Sequence, residues 1–354
     1  MEVIVQKFGG TSLRDETGRK SAVKHITAAV SAHDKVVAVV SAMGRKGDPY
    51  ATDSLLDLIA APKVLVTNRE QDVLLSCGET ISAVVMSHLL NAAGVRATML
   101  SASQAGIVTT ADYGNARIID IQTDRLWTAL KEHDIVVVPG FQGMSKYGDV
   151  TTLGRGGSDT TAAALGAALR ARSIDIFTDV EGMMTADPNI VKKARPLAVV
   201  TYNEVSNMAN LGAKVIHPRA VEIAMQANVP LRIRSTYSEN AGTLVTSTSE
   251  TKRFQIHDRV ITGIAYVDDI TQIKVLDKKG YSQLQSKVFK AMAEHGISVD
   301  FINMNPNGVT YTVTKEMTDK ALRVLKGMGY EPIVEKDCAK VSLVGAGMTG
   351  VPGV

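Results

Sequence analysis

Cysteine is nearly absent. Only Cys77 and Cys338 occur in 354 residues, far apart in the chain, which excludes a disulfide scaffold and fits a reducing compartment. Aromatic residues make up 5%, tryptophan occurs once, and the formal net charge of +3 is spread without a block of one sign. A nucleic-acid or membrane-surface role would need a basic stripe or a stacking platform, and neither is present. No basic-then-apolar leader or long apolar run precedes the first strand, which opens at residue 2; a cytoplasmic, unanchored protein is expected. The sequence also lacks a G-x-x-x-x-G-K-[ST] loop and the His-Arg-Asp and Asp-Phe-Gly pair, so the common phosphate-loop and protein-kinase folds are excluded.

What is present is apolar content of 45%, enough over this length for a large core and, more readily, two domains. A short apolar strand, Val3-Ile4-Val5, runs into Lys7-Phe8-Gly9-Gly10-Thr11-Ser12, and a second glycine-rich turn, Gly154-Arg155-Gly156-Gly157-Ser158-Asp159, follows far downstream. Residues without side chains let backbone N–H groups approach an anion, and each loop leads toward a helical pattern whose N-terminus is partly positive. The pair suggests a phosphate site, although Lys7-Phe8-Gly9-Gly10 alone reads as an ordinary turn with a solvated lysine.

Up to about Ser235, strand patterns at 36–40, 97–100, 135–138, 174–177 and 231–233 alternate with helical patterns at 20–30, 72–90, 160–171 and 219–227. This is α/β order with a mainly parallel sheet. His217-Pro218 fits a helix start. Ligands in such sheets sit outside the carboxyl ends of strands, where both glycine loops and Ser41-Ala42-Met43-Gly44 fall. From Tyr237 to Asp258 the chain turns polar and reads as a connector. Beyond it, strand 272–276, helix 286–295, strands 299–303 and 309–313 and helix 319–328 give the ferredoxin-like order, and a strand at 341–344 reads as the start of another such unit.

Lys7 to Ser12, Ser41 to Gly44, Ser76-Cys77-Gly78-Glu79, Gly154 to Asp159, Phe177-Thr178-Asp179-Val180, Thr185-Ala186-Asp187-Pro188 and Gly212-Ala213-Lys214 together resemble the bacterial aspartate kinases. The resemblance spans the chain. It implies a three-layer amino-acid-kinase fold over 1–240, a linker at 241–260, a first regulatory (ACT) unit at 261–336 that shares its strand near 262–267 with a second unit, and the start of that second unit at 337–354. A C-terminal truncation is expected on this reading. The implied reaction moves the γ-phosphoryl group of ATP, carried with Mg2+, to the side chain of L-aspartate, at the head of lysine, threonine, methionine and diaminopimelate synthesis.

The same resemblance implies roles for single residues. Lys7 contacts the transferring group and Asp159 holds Lys7; Thr52, Glu79, Arg155 and Ser12 seat the amino acid. Gly9, Gly10, Ser41, Gly156, Gly157, Ser158, Thr178, Asp179, Asp187 and Lys214 line the nucleotide site. Met183-Met184 stand where many members of the family have a tyrosine near adenine; a methionine can pack there through its sulfur, and a different nucleoside preference stays open. Asp277, Gly280 and Asp300 bind an amino-acid effector (lysine, threonine or diaminopimelate) within a homodimer formed through the ACT region. The Gly44 to Tyr50 segment inclines toward the diaminopimelate-sensitive form, and an incomplete second unit predicts weakened feedback.

Each residue has a plainer reading. Glu79 falls in a helical pattern, where glutamate most often faces solvent; Asp187-Pro188 is a turn; Thr52 and Ser158 are helix caps; His217 is structural and stands outside the site. Gly345 to Gly350 matches G-x-G-x-x-G but has no room for the second strand and the acidic residue about 20 positions on. Two other functions remain open from the residues: a kinase of the same fold for another acid, which would lack Glu79 and the ACT region, and a non-catalytic amino-acid sensor, against which Lys7, Arg155 and Asp159 argue.

Overall fold

A computed structural model describes residues 2–32, 34–60, 66–213, 215–247, 260–276, 283–305, 307–345 and 348. The chain divides into two compact units, Met1–Gly263 with Val344–Val354, and Ile264–Leu343.

The first unit runs β1 (Val3–Phe8), α1 (Gly10–Leu13), α2 (Glu16–Ser31), β2 (Lys35–Val40), α3 (Thr52–Asp57), α4 (Asn68–Ala92), β3 (Ala97–Met99), β4 (Ile107–Thr109), β5 (Ile118–Ile121) and α5 (Asp124–Glu132). It continues through β6 (Ile135–Pro139), β7 (Gln142–Ser145), β8 (Val150–Thr152), α6 (Gly157–Ala168), β9 (Ser173–Thr178), β10 (Val199–Thr201), α7 (Tyr202–Asn210), α8 (Pro218–Ala227), β11 (Leu231–Ser235) and β12 (Thr243–Thr246). Eight strands form one sheet in the order β10-β12-β11-β9-β1-β2-β6-β3. Its neighbours are parallel except β11 and β12.

The central strands are apolar at nearly every position because both faces are covered. Val3, Val5, Val37, Val39, Val136 and Val138 point to one side, where they meet Ala162 and Leu165 of α6 and Ala220 and Ala224 of α8. Phe8, Val36, Ala38, Val40, Ile135 and Val137 point to the other, against Ala22 and Ile26 of α2 and Ala83, Met86 and Leu90 of α4. The helix ends carry their own signals. Asp15 caps α2 by accepting from Gly18 N, Thr67 and Glu70 close a capping box on α4, and His217 caps α8 with proline at its first turn.

Helix α4 is long and apolar enough to cross a membrane, yet it is a core helix that buries two carboxylates, Asp72 and Glu79. Asp72 is satisfied by Gly114 N at 3.0 Å, Thr152 N at 2.8 Å and Thr152 Oγ1 at 2.7 Å.

Two features depart from the sequence reading. The polar stretch after Tyr237 is not all connector, because Thr243–Thr246 forms β12 inside the main sheet. Four residues flanked by polar turns are too short to show a period. A second sheet, β5-β4-β7-β8, leaves no pattern in the sequence for the same reason, since its strands have only three or four residues each.

The second unit consists of β13 (Gly263–Leu276), α9 (Leu284–Glu294), β14 (Asp300–Asn305), β15 (Gly308–Thr314), α10 (Lys315–Gly327) and β16 (Ile333–Val344). The sheet order β14-β15-β13-β16 and the β-α-β-β-α-β sequence are ferredoxin-like. Val288 and Met292 of α9 and Ala321 and Leu325 of α10 pack on Ile273, Val275 and Tyr311 of the sheet. The strand anticipated at 341–344 is the end of β16, which borders this same sheet. β13 and β16 each carry one left-handed residue, Asp269 (φ 52) and Asp337 (φ 55).

Candidate active site

The site is assembled at the carboxyl ends of β1, β2, β6 and β9. Beyond Phe8 the chain enters the first glycine loop, which is laced to the loop after β2: Ser41 N donates to Phe8 O at 3.1 Å and Gly44 N to Gly10 O at 2.9 Å. Gly10 is required by this approach, because a Cβ there would lie 2.6 Å from Gly44 O and 2.8 Å from Ala42 O.

Lys7, next to last in β1, extends its ammonium to 2.7 Å from Asp159 Oδ1, with side chains only 13% and 12% exposed. Asp159 stands in the first turn of α6, whose N-terminus favours negative charge. Its other oxygen accepts from His217 N at 3.3 Å. The His217 ring lies over Gly156, which has φ 70 and would bring a Cβ to 2.3 Å from the imidazole. Phe141, itself left-handed at φ 68, donates its N–H to Thr161 Oγ1 at 3.1 Å and so ties the end of β6 to α6. Gly157 and Ser158 are buried at the helix start, and Arg155 is exposed at the loop tip with no ion pair among the described residues.

Glu79 is 3% exposed. Its Oε1 accepts from Ala42 N at 3.0 Å, while Oε2 is buried without a partner. Burial pushes this carboxyl up to about 7, against the hydrogen bond from Ala42, which lowers it. Gly78 allows the close contact, since a Cβ there would meet Ala42 Cβ at 2.8 Å and Tyr50 O at 3.0 Å. Half-buried Thr52 opens α3.

At the end of β9, Thr178 Oγ1 donates to Asp179 Oδ1 at 3.2 Å, and Asp179 Oδ2 meets Arg45 Nη2 at 2.7 Å. Asp187 Oδ1 accepts from Asn189 N at 2.8 Å and closes its own turn. Met183 is a core residue, 1% exposed, whereas Met184 is half-buried and bridges to Pro196.

The structure thus brings Lys7, Gly9, Gly10, Ser41, Glu79 and Asp159 into one linked group, with Gly9 backed by Lys7 Nζ. Ser12 is different: it is fully buried and its hydroxyl lies 2.6 Å from Thr236 Oγ1. In the second unit, Asp300 at the start of β14 pairs with Lys340 of β16, which holds its carboxyl below the usual range. Lys214, Asp277 and Gly280 lie outside the described residues.

Sequence reasoning passed over three contributors. His217 reads from the sequence as a helix-start residue outside the site, yet its N–H holds Asp159; its place before Pro218 is the available signal. Ala42 contributes only a backbone N–H and Arg45 an exposed guanidinium, neither of which a sequence pattern marks.

A buried lysine, a helix N-terminus and two glycine loops form an anion-handling site of the phosphoryl-transfer class, with a buried carboxylate one loop away. The amino acid kinase family model matches residues 2–235. Aspartokinase 1 of Bacillus subtilis (strain 168) is 59% identical over 355 residues, covering 100% of this chain and 88% of its own length. The aspartokinase of Geobacillus stearothermophilus is 42% identical over 360 residues, covering 100% and 86%. Among solved structures, E. coli aspartokinase III in complex with aspartate and ADP (R-state) matches with a TM-score of 0.78 at 26% identity, over 100% of this chain and 90% of that one. The same enzyme in complex with lysine and aspartate (T-state) matches at 0.77 and 26%, over 97% and 87%. The chain belongs to the amino acid kinase family, among its bacterial aspartate kinases.

Proposed function

We infer that this chain transfers the γ-phosphoryl group of ATP to the side-chain carboxylate of L-aspartate, giving 4-phospho-L-aspartate for amino-acid biosynthesis. The observation that carries the reading is the union of the Lys7–Asp159 pair with a buried Glu79 that keeps one oxygen unpartnered. That oxygen suits the substrate's α-ammonium, and exposed Arg155 suits its α-carboxylate. Thr52, the first residue of α3, is assigned to the same amino acid.

The nucleophile needs no general base, because a side-chain carboxylate with an ordinary pKa of about 3.9 is ionised near neutrality. What the site must supply is alignment and charge neutralisation. Lys7 neutralises the transferring group, and Asp159, fixed from both sides by Lys7 and His217 N, sets the position of that ammonium. Gly9, Gly10, Gly156, Gly157, Ser41 and Ser158 offer the phosphates backbone and hydroxyl donors. Thr178, Asp179, Asp187 and Lys214 are assigned to the rest of the nucleotide, and Ser12 supports the first loop from beneath.

Among the described residues no group of three His, Cys, Asp or Glu side chains converges. Mg2+ is assigned to the phosphates themselves, where it would neutralise charge on the leaving group. The ferredoxin-like unit is assigned a regulatory role, with Asp300 meeting the ammonium of an amino-acid effector across a homodimer, in the cytoplasm.

Hydroxamate formation from ATP, Mg2+, hydroxylamine and a panel of acidic amino acids tests the activity. Turnover confined to L-aspartate is expected. Equal turnover with N-acetylglutamate, or none with any acid on a folded chain, would overturn it.

A further inference from the structure

The main sheet carries a second concavity, of about 890 Å3, on the face turned toward α2. Helix α2 forms one wall through Ala28 and Ala29, and β1, β9, β11 and β12 form the floor. On the central strands this face is apolar, as Val36, Ala38, Ile135 and Val137 show. On the floor of the groove it is not. Gln6 pairs in register with Asp175, and Asp175 with Arg232, so an amide, a carboxylate and a guanidinium stand in a row across three adjacent strands. Arg234, two residues further along β11, shares the face and lies 5.1 Å from the centre of the Phe177 ring.

This row is incompletely satisfied. Gln6 is 2% exposed, and its Oε1 has no partner. Arg234 donates to Asp175 at 3.3 Å, but its Nε is buried without an acceptor. Arg232 donates to Ala241 O at 3.1 Å and makes no ion pair among the described residues. Buried donors and acceptors that lack partners oppose folding, so a polar row kept within a sheet floor calls for a ligand of matching pattern.

The pattern is specific. Gln6 Oε1 calls for a donor, best supplied by an ammonium group beside the Asp175 carboxylate, which already accepts from Arg234 and Ser173; Arg232 and Arg234 call for an acceptor, best supplied by a carboxylate. Ile4, Ala28, Ala29, Pro230 and Leu244 add apolar surface; the other charged groups of the lining are already paired, Asp34 with Arg172 and Glu239 with Lys24. A phosphate would leave the Gln6 oxygen unmet, and a simple amine would leave the guanidinium groups unmet. We propose that this groove binds a free α-amino acid with an aliphatic side chain, at a site separate from the one that holds the substrates. Successive residues of a strand point to opposite faces: Gln6 faces the groove and Lys7 faces α6. The proposal does not depend on the roles assigned at the carboxyl end.

Calorimetric titration of the full chain with L-leucine tests it, alongside 4-methylpentanoate, which lacks the ammonium, and 3-methylbutylamine, which lacks the carboxylate. One leucine site is expected, with both analogues at least about tenfold weaker, as for loss of one charged partner. Arg232→Ala should weaken leucine binding by a similar factor, and Glu79→Gln should leave it unchanged. Absence of leucine binding, equal binding of either analogue, or loss on Glu79→Gln with Arg232→Ala unaffected would overturn the proposal. Should Arg232→Ala not fold, the His25 ring protons of the unaltered chain serve instead, because His25 lines the groove. Leucine must shift their resonances, and binding heat without such a shift would also overturn it.

Discussion

The ammonium of Lys7 lies 2.7 Å from Asp159 Oδ1, and the aspartate is held from its other side by the backbone N–H of His217 at 3.3 Å. Three distant segments of the chain therefore fix one cation. Removing Lys7 leaves a largely buried carboxylate without its counter-charge, at a cost of about 3–5 kcal/mol. Lys7→Ala should lower turnover by at least about 100-fold, the range for losing one preorganised charge-stabilising donor. The melting temperature should fall too. Adding Asp159→Asn should restore much of the melting temperature and none of the turnover. Recovery of activity in the double variant would refute the assignment.

Glu79 ties substrate affinity to pH. Its carboxyl is raised from 4.5 to about 7 by burial, so between those values the folded chain holds a proton that the unfolded chain has released. The unliganded chain therefore loses stability as pH rises through that window and levels off above it. In the role proposed for Glu79, aspartate binding requires the ionised form. Its KM should climb as pH falls below about 7, by roughly tenfold per unit once protonation dominates. Glu79→Gln should flatten both dependences and raise KM for aspartate at pH 8. Initial rates and thermal melts between pH 5.5 and about 8.5 cover the range in which the group titrates.

Gly10 and Gly156 are intolerant for different reasons. A Cβ on Gly10 meets two backbone carbonyls, at 2.6 and 2.8 Å, which no rotamer change relieves. Gly10→Ala should displace the loop, cost about 1–3 kcal/mol and raise KM for ATP. Gly156 has φ 70 and the His217 ring against it. In Gly156→Ala the left-handed strain adds to the clash, and combining it with His217→Ala should recover part of the stability. Denaturant melts of both variants and the double variant decide this.

In the second unit, the proposed effector contact predicts a clean separation. Asp300 is well exposed, and its partner Lys340 lies in the neighbourhood of β14. Asp300→Ala should raise the effector concentration for half inhibition at least about tenfold, the value of one charged contact, while kcat without effector stays unchanged. Equal inhibition of the variant and the parent by lysine, threonine and diaminopimelate would refute it.

The sequence by itself determined the apolar central strands, the α/β alternation, the helix at His217-Pro218 and the two glycine loops. Those features are local: strand period, capping chemistry and freedom of φ are written into consecutive residues. It could not mark β12 or the small sheet, whose strands are too short to show a period, nor the extent of β16. Tertiary structure alone decided that Glu79 is buried rather than solvated, that His217 reaches Asp159, and that Ser12 turns inward to Thr236. It also decided that Gln6, Asp175 and Arg232 share one row. Each of these depends on which distant backbone comes to lie beside a side chain, and that is fixed by sheet order and register, not by neighbours in sequence.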